Sequence, residues 1–264
     1  MADHSETGGQ YLTIKLTLPS FMSVPLFKYF PENHNGRDFV IGDLHGMFST
    51  LEEMLKTISF DRENDRLFSV GDLIDRGTQS ELVTHYLVQP WFHAIQGNHE
   101  QLLLQSIESA SIFNAWTKRA GGKWWLKLTD TERLKIKDLI EELPMAFEIA
   151  TATGQIGIVH ADIPIGLSWQ SFVKGLQTDP ELQQHAQWSR LRHRYVMASE
   201  SVPKVRGIDL LAVGHSIVDK PLFAANLCYL DTGAAYTGFG IDSRLTMLQI
   251  HPVQNVYQQK TRPE

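Results

Sequence analysis

Apolar residues along this chain keep changing period, and each change predicts an element. Leu12, Ile14, Leu16 and Leu18 alternate with Thr13, Lys15 and Thr17, the period-two pattern of a half-buried strand. After a stretch containing Pro19, Pro25 and Pro31, FVIGD at 39–43 reads as a buried strand. Met47, Phe48, Leu51, Met54, Leu55 and Ile58 then recur at helical spacing. The outcome is a unit of strand, short polar loop and helix. It repeats in type: a strand over 66–70, the loop GDLIDRG at 71–77 and a helix over 80–88, then a strand over 92–95, the loop GNHE at 97–100 and a helix over 100–107. Strand–helix alternation predicts parallel pairing. Loops at the C-terminal ends of such strands are where open α/β sheets place their ligands.

From about 108 to 145 the pattern reads as entirely helical, with Leu134, Leu139, Ile140 and Leu143 as an apolar stripe. After Pro144 the character turns to strands at 146–150, 155–160, 210–213, 222–231 and 244–250, which suit a second, partly antiparallel sheet. The expected fold class is therefore α/β: a two-sheet mixed β sandwich flanked by helices, with a small helical insertion at about 108–145. No fixed-period repeat, low-complexity tract or linker divides the 264 residues. One domain is expected, with an N-terminal arm over 1–37 and a core over 38–250.

Composition narrows the function. An apolar content of 42% with 20% charged residues describes a soluble globular protein. The single cysteine, Cys228, rules out a disulfide framework within the chain and suits a small buried apolar role. A formal charge of −6 argues against nucleic-acid binding, which draws on a surplus of Lys and Arg; Arg190, Arg192, His193 and Arg194 form the local exception. Residues 1–10 are polar and acidic, unlike a signal peptide, and no apolar run approaches the roughly 20 residues that span a bilayer. A cytoplasmic location away from membranes is expected.

The loops carry the chemistry. GDLHG at 42–46, GDLIDRG and GNHE present Asp43, His45, Asp72, Asn98 and His99, and GIVHAD at 157–162 and AVGHS at 212–216 add His160 and His215. Carboxylate, imidazole and amide oxygen are the ligand types of a catalytic pair of divalent metals rather than of a structural zinc. In order the chain reads GDxHG, GDxxDRG, GNHE, His, GH. It resembles the metal-dependent serine/threonine phosphoprotein phosphatases of the calcineurin-like metallophosphoesterases, most closely the small bacterial and bacteriophage-lambda type. The similarity runs over roughly 38–250, through PWF at 90–92, GGKWW at 121–125, HAD at 160–162 and DTGA at 231–234.

That resemblance implies roles. Asp43, His45 and Asp72 would hold one metal, and Asp72, Asn98, His160 and His215 the other, with Asp72 bridging. Manganese is the first expectation, and the donor set also admits iron, zinc or cobalt. Hydrolysis would proceed by in-line attack of a metal-bridging hydroxide. His99, oriented by Asp75, would protonate the leaving oxygen, while Arg76 and Arg190 would clamp the phosphate. Asp231 is expected either to support a metal-bound histidine or to serve as a plain turn residue. Trp124 and Trp125 are expected to pack. Two departures stand out: Gln96 occupies the substrate-binding place where the family usually has arginine, and Ser189 stands where a relative commonly has asparagine.

The activity implied is hydrolysis of phosphomonoesters, foremost protein phosphoserine and phosphothreonine, with a phosphoprotein or small phosphate ester as the partner. A symmetrical diadenosine-polyphosphate hydrolase is the alternative, favoured by Gln96 and opposed by Asp75 and Glu100. A second alternative, an inactive module that binds phosphorylated partners, is opposed by the complete metal set and His99.

Overall fold

A computed structural model describes residues 25–262; the alternating stretch Leu12–Leu18 lies outside them. The first half runs β1 (Phe27–Phe30), β2 (Asp38–Ile41), α1 (Phe48–Thr57), β3 (Arg66–Ser69), α2 (Val83–Leu87), β4 (Phe92–Ala94), α3 (Asn98–Glu108), α4 (Ala110–Ala115) and α5 (Asp130–Glu141). The second half runs β5 (Ala146–Thr151), β6 (Gly154–Val159), α6 (Trp169–Leu176), α7 (Pro180–Trp188), α8 (Leu191–Met197), β7 (Leu210–Val213), β8 (Leu222–Ala224), β9 (Leu227–Tyr229), β10 (Arg244–His251) and β11 (Asn255–Lys260).

The three strand–loop–helix units pair as expected. β2–β3 and β3–β4 are parallel, with Val40 opposite Phe68 and Ser69 opposite Ala94. β10 adds antiparallel to β2, and β11 to β10, giving the order β11-β10-β2-β3-β4. The other sheet has the order β1-β5-β6-β7-β9-β8 and mixes both senses.

Strands with apolar residues at consecutive positions need cover on both faces, and two sheets plus helices supply it. Val40, Phe68, Ile156, Ile158, Ala212 and Leu248 meet between the sheets. Phe39, Ile41, Leu67 and Met247, one position out of phase, meet Phe48, Leu51 and Met54 of α1 on the outer face. Val159, Leu211 and Val213 do the same against Trp169 and Phe172 of α6. Phe68 stacks edge-on with Phe30 at 4.9 Å and Phe147 at 5.9 Å, so Phe68→Ala would cost about 3–5 kcal/mol. The architecture is a mixed two-sheet sandwich flanked by helices, and the three motif loops leave the same edge.

Several boundaries differ from expectation. The stretch 108–145 is not one helix. Ser109 breaks it with extended backbone and caps α4 through Ile112 N–H. Trp116–Ala120 widens into a π turn that ends at Gly121 (φ +99), and Gly122–Lys127 is 3-10. α5 then restarts from a reciprocal capping box between Thr129 and Glu132. The helix expected over 80–88 is a 3-10 turn, Ser80–Leu82, followed by α2. The strand expected over 222–231 is the antiparallel pair β8–β9. β1, within the arm 1–37, pairs with β5, and β11 lies beyond residue 250. No helix among the described residues is long and apolar enough to cross a membrane.

Candidate active site

Five of the residues singled out from the sequence sit in left-handed backbone: His45 (φ 43), Asp72 (φ 51), Asp75 (φ 74), Arg76 (φ 68) and His215 (φ 63). Non-glycine residues rarely take that conformation. It costs of order 1–3 kcal/mol at each position and persists only where neighbours over-determine it. Here they do. The amides of Leu44 and His45 donate to Asp72 O at 3.1 and 2.8 Å, and Gly77 N–H donates to His45 O at 2.9 Å. Asp75 N–H donates to Ser80 Oγ at 2.8 Å.

Glu100 ties two loops together. Its buried carboxylate accepts from Asp72 N–H and Gly97 N–H through Oε2, and from Leu73 N–H through Oε1, each at 2.8 Å. Burial, with the Asp72 charge second, pushes its pKa up to about 7. Glycine lets the carboxylates approach: a Cβ on Gly97 would lie 2.3 Å from Asp72 Oδ1, and one on Gly214 would lie 2.0 Å from Asp43 Oδ1.

Around Asp72 the nitrogen and oxygen donors converge. Its Oδ2 is 3.4 Å from His45 Nε2, and its Oδ1 is 3.4 Å from His160 Nε2. Asn98 Oδ1 is 2.9 Å from His160 Nε2 and 2.8 Å from His215 Nδ1. His45 Nδ1–H donates to Ile74 O and His160 Nδ1–H to Val70 O, both at 2.8 Å. Those bonds leave each Nε2 with an inward lone pair, the tautomer a metal ligand needs. Asp43 Oδ2 is 4.0 Å from His45 Nε2, and both its oxygens accept from His215 N–H at 3.1 Å.

Two donor clusters result, His45–Asp72–His99 and Asp72–His160–His215, each with its atoms within 4.8 Å and both sharing Asp72. Burial holds the pKa of His45, His160 and His215 down, that of His215 to about 3, so all three rings are neutral and competent to ligate. Burial, then the charges of Asp231 and Asp72, raises Asp43. His215 Nε2 is buried without a hydrogen-bond partner. Crowded carboxylates, neutral rings and an amide oxygen fit two divalent cations.

His99 is the exception within its cluster. Its Nδ1 donates to Asp75 Oδ2 at 2.6 Å. Burial disfavours the imidazolium, but Asp72 and the Asp75 bond outweigh it and raise the pKa. With its Nδ1 committed to Asp75, His99 is set apart from the other rings, and Asp43, its Oδ2 4.0 Å from His45 Nε2, is a further oxygen donor beside that cluster. Asp75 is itself held from both sides: Trp116 Nε1–H donates to Oδ2 at 2.6 Å and Trp124 Nε1–H to Oδ1 at 2.7 Å. Trp124 therefore does more than pack, and Trp116, not singled out from the sequence, shares its task. Trp125 packs edge-on against both indoles.

A cleft of about 340 Å³ opens over this centre, lined by Asp72, Asn98, His99 and His215 together with Arg76, Arg190 and Arg119. Arg76 Nη1 hydrogen-bonds His45 Nε2, and its guanidinium lies 5.2 Å from the Tyr236 ring centroid. Gln96 is not among the lining residues; its Oε1 accepts from Gln187 Nε2 at 3.0 Å. Asp231 accepts from Gly233 N–H at 2.9 Å and, among the described residues, from no histidine. The basic run at 190–194 is not one patch, because Arg192 is buried against Asp162 at 3.0 Å. Cys228 is fully buried, and burial pushes its thiol pKa up. A larger apolar groove, about 570 Å³ between α3 and α5, has Trp125 on its wall and none of the donor or cleft residues.

Comparison with known proteins agrees with this geometry. Residues 39–219 match the sequence profile of the calcineurin-like phosphoesterases. The chain is 33% identical over 210 residues to serine/threonine-protein phosphatase 2 of Escherichia coli, covering 78% of this chain and 91% of that protein. It is 30% identical over 173 residues to the symmetrical bis(5'-nucleosyl)-tetraphosphatase of Nitrosococcus oceani, covering 58% and 62%. A protein serine/threonine phosphatase structure from Saccharomyces cerevisiae superposes with a TM-score of 0.62 at 14% identity, covering 91% of this chain and 85% of that one.

Proposed function

The chain belongs to the calcineurin-like phosphoesterase family, and on that premise we propose that it hydrolyses phosphoserine and phosphothreonine esters of proteins. The observation that carries this reading is the His99–Asp75 pair at 2.6 Å, beside the donor clusters and with both Asp75 oxygens held by indole N–H groups. A seryl or threonyl alkoxide is a poor leaving group and needs a proton; a nucleotide leaving group needs it far less. An elaborately held general acid is therefore best explained by an alkyl phosphate. The 33% identity to a serine/threonine phosphatase over most of both chains supports the same substrate class.

Each residue then has a task. Asp43, His45, Asp72, Asn98, His160 and His215 hold two divalent cations, which when bound supply a water of lowered pKa and Lewis-acid stabilisation of the phosphoryl oxygens. Arg76 and Arg190 grip and orient the phosphate from the cleft walls. His99 Nε2–H gives its proton to the departing oxygen while Asp75 and the two indoles keep the ring aligned. Manganese is the metal to try first.

Gln96 and the tetraphosphatase relative favour a second reading, symmetrical cleavage of dinucleoside polyphosphates. Side-by-side kcat/KM values for a phosphoserine peptide, p-nitrophenyl phosphate and diadenosine tetraphosphate in Mn²⁺ separate the two. The peptide is expected to lead diadenosine tetraphosphate; the reverse order, by tenfold or more, would replace the first reading with the second.

A further inference from the structure

We propose that Arg119 forms a second anion subsite of the cleft, taking the carboxylate of an acidic residue beside the phosphorylated one; this rests on the phosphopeptide reading above. Half of the twelve arginines are tied to carboxylates. Arg37, Arg62, Arg66, Arg133, Arg192 and Arg244 each pair with a carboxylate. Arg76, Arg190 and Arg119 form no ion pair among the described residues and line the cleft together, whereas Arg194, Arg206 and Arg262, also without one, are exposed outside it. In a chain with a formal charge of −6, leaving three guanidiniums unpaired at one opening concentrates positive potential there. Arg76 and Arg190 suffice to grip the scissile phosphate. Arg119 is free for another anion.

Its position is also fixed rather than incidental. Arg119 lies in the π turn Trp116–Ala120, and such one-residue widenings re-aim side chains and recur at functional sites. On one side the turn is pinned by the Trp116 indole on Asp75. On the other, Gly121 approaches so closely that a Cβ there would lie 2.4 Å from Arg76 N. The backbone flanking Arg119 is thus fastened to the loop that carries Asp75 and Arg76, while its own side chain stays exposed. An anion bound there would sit at the rim of the same cleft that holds the phosphate.

The test compares phosphoserine peptides that differ only by Glu or Ala beside the phosphoserine, using the full chain with Mn²⁺. The readout is the Glu/Ala ratio of kcat/KM within each variant, which does not depend on how much of a preparation is folded. The wild type is expected to favour the Glu peptide by about three- to tenfold, mainly in KM and less at high salt. Arg119→Ala should bring the ratio close to one, Arg119→Lys should keep most of it, and Arg119→Glu should invert it. A ratio unaltered in Arg119→Ala and Arg119→Glu would overturn the subsite. If p-nitrophenyl phosphate is hydrolysed and no phosphopeptide is, the phosphopeptide reading fails by itself. The subsite is then judged by inhibition of p-nitrophenyl phosphate turnover with carboxyalkylphosphonates against alkylphosphonates of equal length. Tighter binding of the carboxylates that disappears in Arg119→Ala supports an anion subsite, and an equal ratio in both proteins overturns it.

Discussion

The motif loops at the strand ends and the segment from Ser109 to Lys127 meet at one carboxylate, Asp75, yet they are built on opposite principles. The loops are short, strained and braced from within: left-handed backbone at His45, Asp72, Asp75 and Arg76 is held by neighbouring amides and by Glu100. The segment is a succession of α, π and 3-10 turns that reaches Asp75 from 41 and 49 residues away through two indoles. The difference separates two kinds of information. The clustered nitrogen and oxygen donors lie in contiguous motifs, while the indoles that hold Asp75 arrive from a region whose local pattern says little.

The comparison breaks most readily on the loop side. Asp72→Ala should reduce turnover to background and release the metals, because Asp72 alone belongs to both donor clusters; metal content by elemental analysis and residual activity check it together. His99→Asn should lower kcat on a phosphoserine peptide by about 10²–10⁴ with metal content retained. The loss on p-nitrophenyl phosphate should be smaller, since that leaving group needs no proton, and an equal loss on both would argue against a general acid. Glu100→Ala strands three buried N–H groups and should lower stability by about 3–4 kcal/mol in denaturant titration. A change below about 1 kcal/mol would show that the left-handed loops do not depend on it.

On the other side the effects should be milder. Trp124→Phe keeps the ring but removes a hydrogen bond to a charged oxygen, worth about 1.5–3 kcal/mol. Part of that should fall on kcat for the phosphoserine peptide, about tenfold, and little on p-nitrophenyl phosphate. Trp125→Phe, which takes no bond from Asp75, should fall below threefold on both. If the two variants behave alike, the segment only packs, and the contrast with the loops disappears.

Sequence reading succeeded where signals are local. β2, β3 and β4 each carry buried apolar runs directly before a motif, so strand, loop and helix were legible together. Asp43, His45, Asp72 and Asn98 stand at those junctions, His160 directly follows β6 and His215 lies just beyond β7, so each is marked by a strand end as well as by its place in a known order. Inside 108–145 the helical composition masks the breaks, whose local marks are Gly121, Gly122 and the Thr129–Glu132 capping box. α6 and α7 are not among the elements expected from the sequence, and their local signals are the caps Ser168 and the Asp179–Pro180 pair. Arg119 and Trp116 had no local signal at all: nothing in WTKRA tells which turn will widen or which ring will find Asp75. Glu100 reads from the sequence only as a family marker, since three backbone amides from two loops cannot be seen in a linear motif.

Gln96 offers the finest probe of the same division, because it sits inside a motif segment yet turns away from the cleft. In Gln96→Arg, the ceiling is one charge-assisted hydrogen bond to phosphate, about 1.5–3 kcal/mol, or roughly 10–150-fold in kcat/KM. Two features of the structure lower it. The Gln96 Oε1 accepts from Gln187 Nε2 at 3.0 Å, and Gln187 is buried, so a guanidinium there would face another donor unless the Gln187 amide flips. Arg76, Arg119 and Arg190 already line the cleft, so a fourth cation meets repulsion as well as substrate. The expected outcome is a gain of less than about tenfold on phosphomonoesters, with about 0.5–1.5 kcal/mol of stability lost at Gln187. Combining it with Gln187→Glu restores an acceptor and should recover that stability. If Gln96→Arg keeps its metals and fold but slows every monoester, the position is not a vacant phosphate clamp, and its service is to Gln187 and the start of α3.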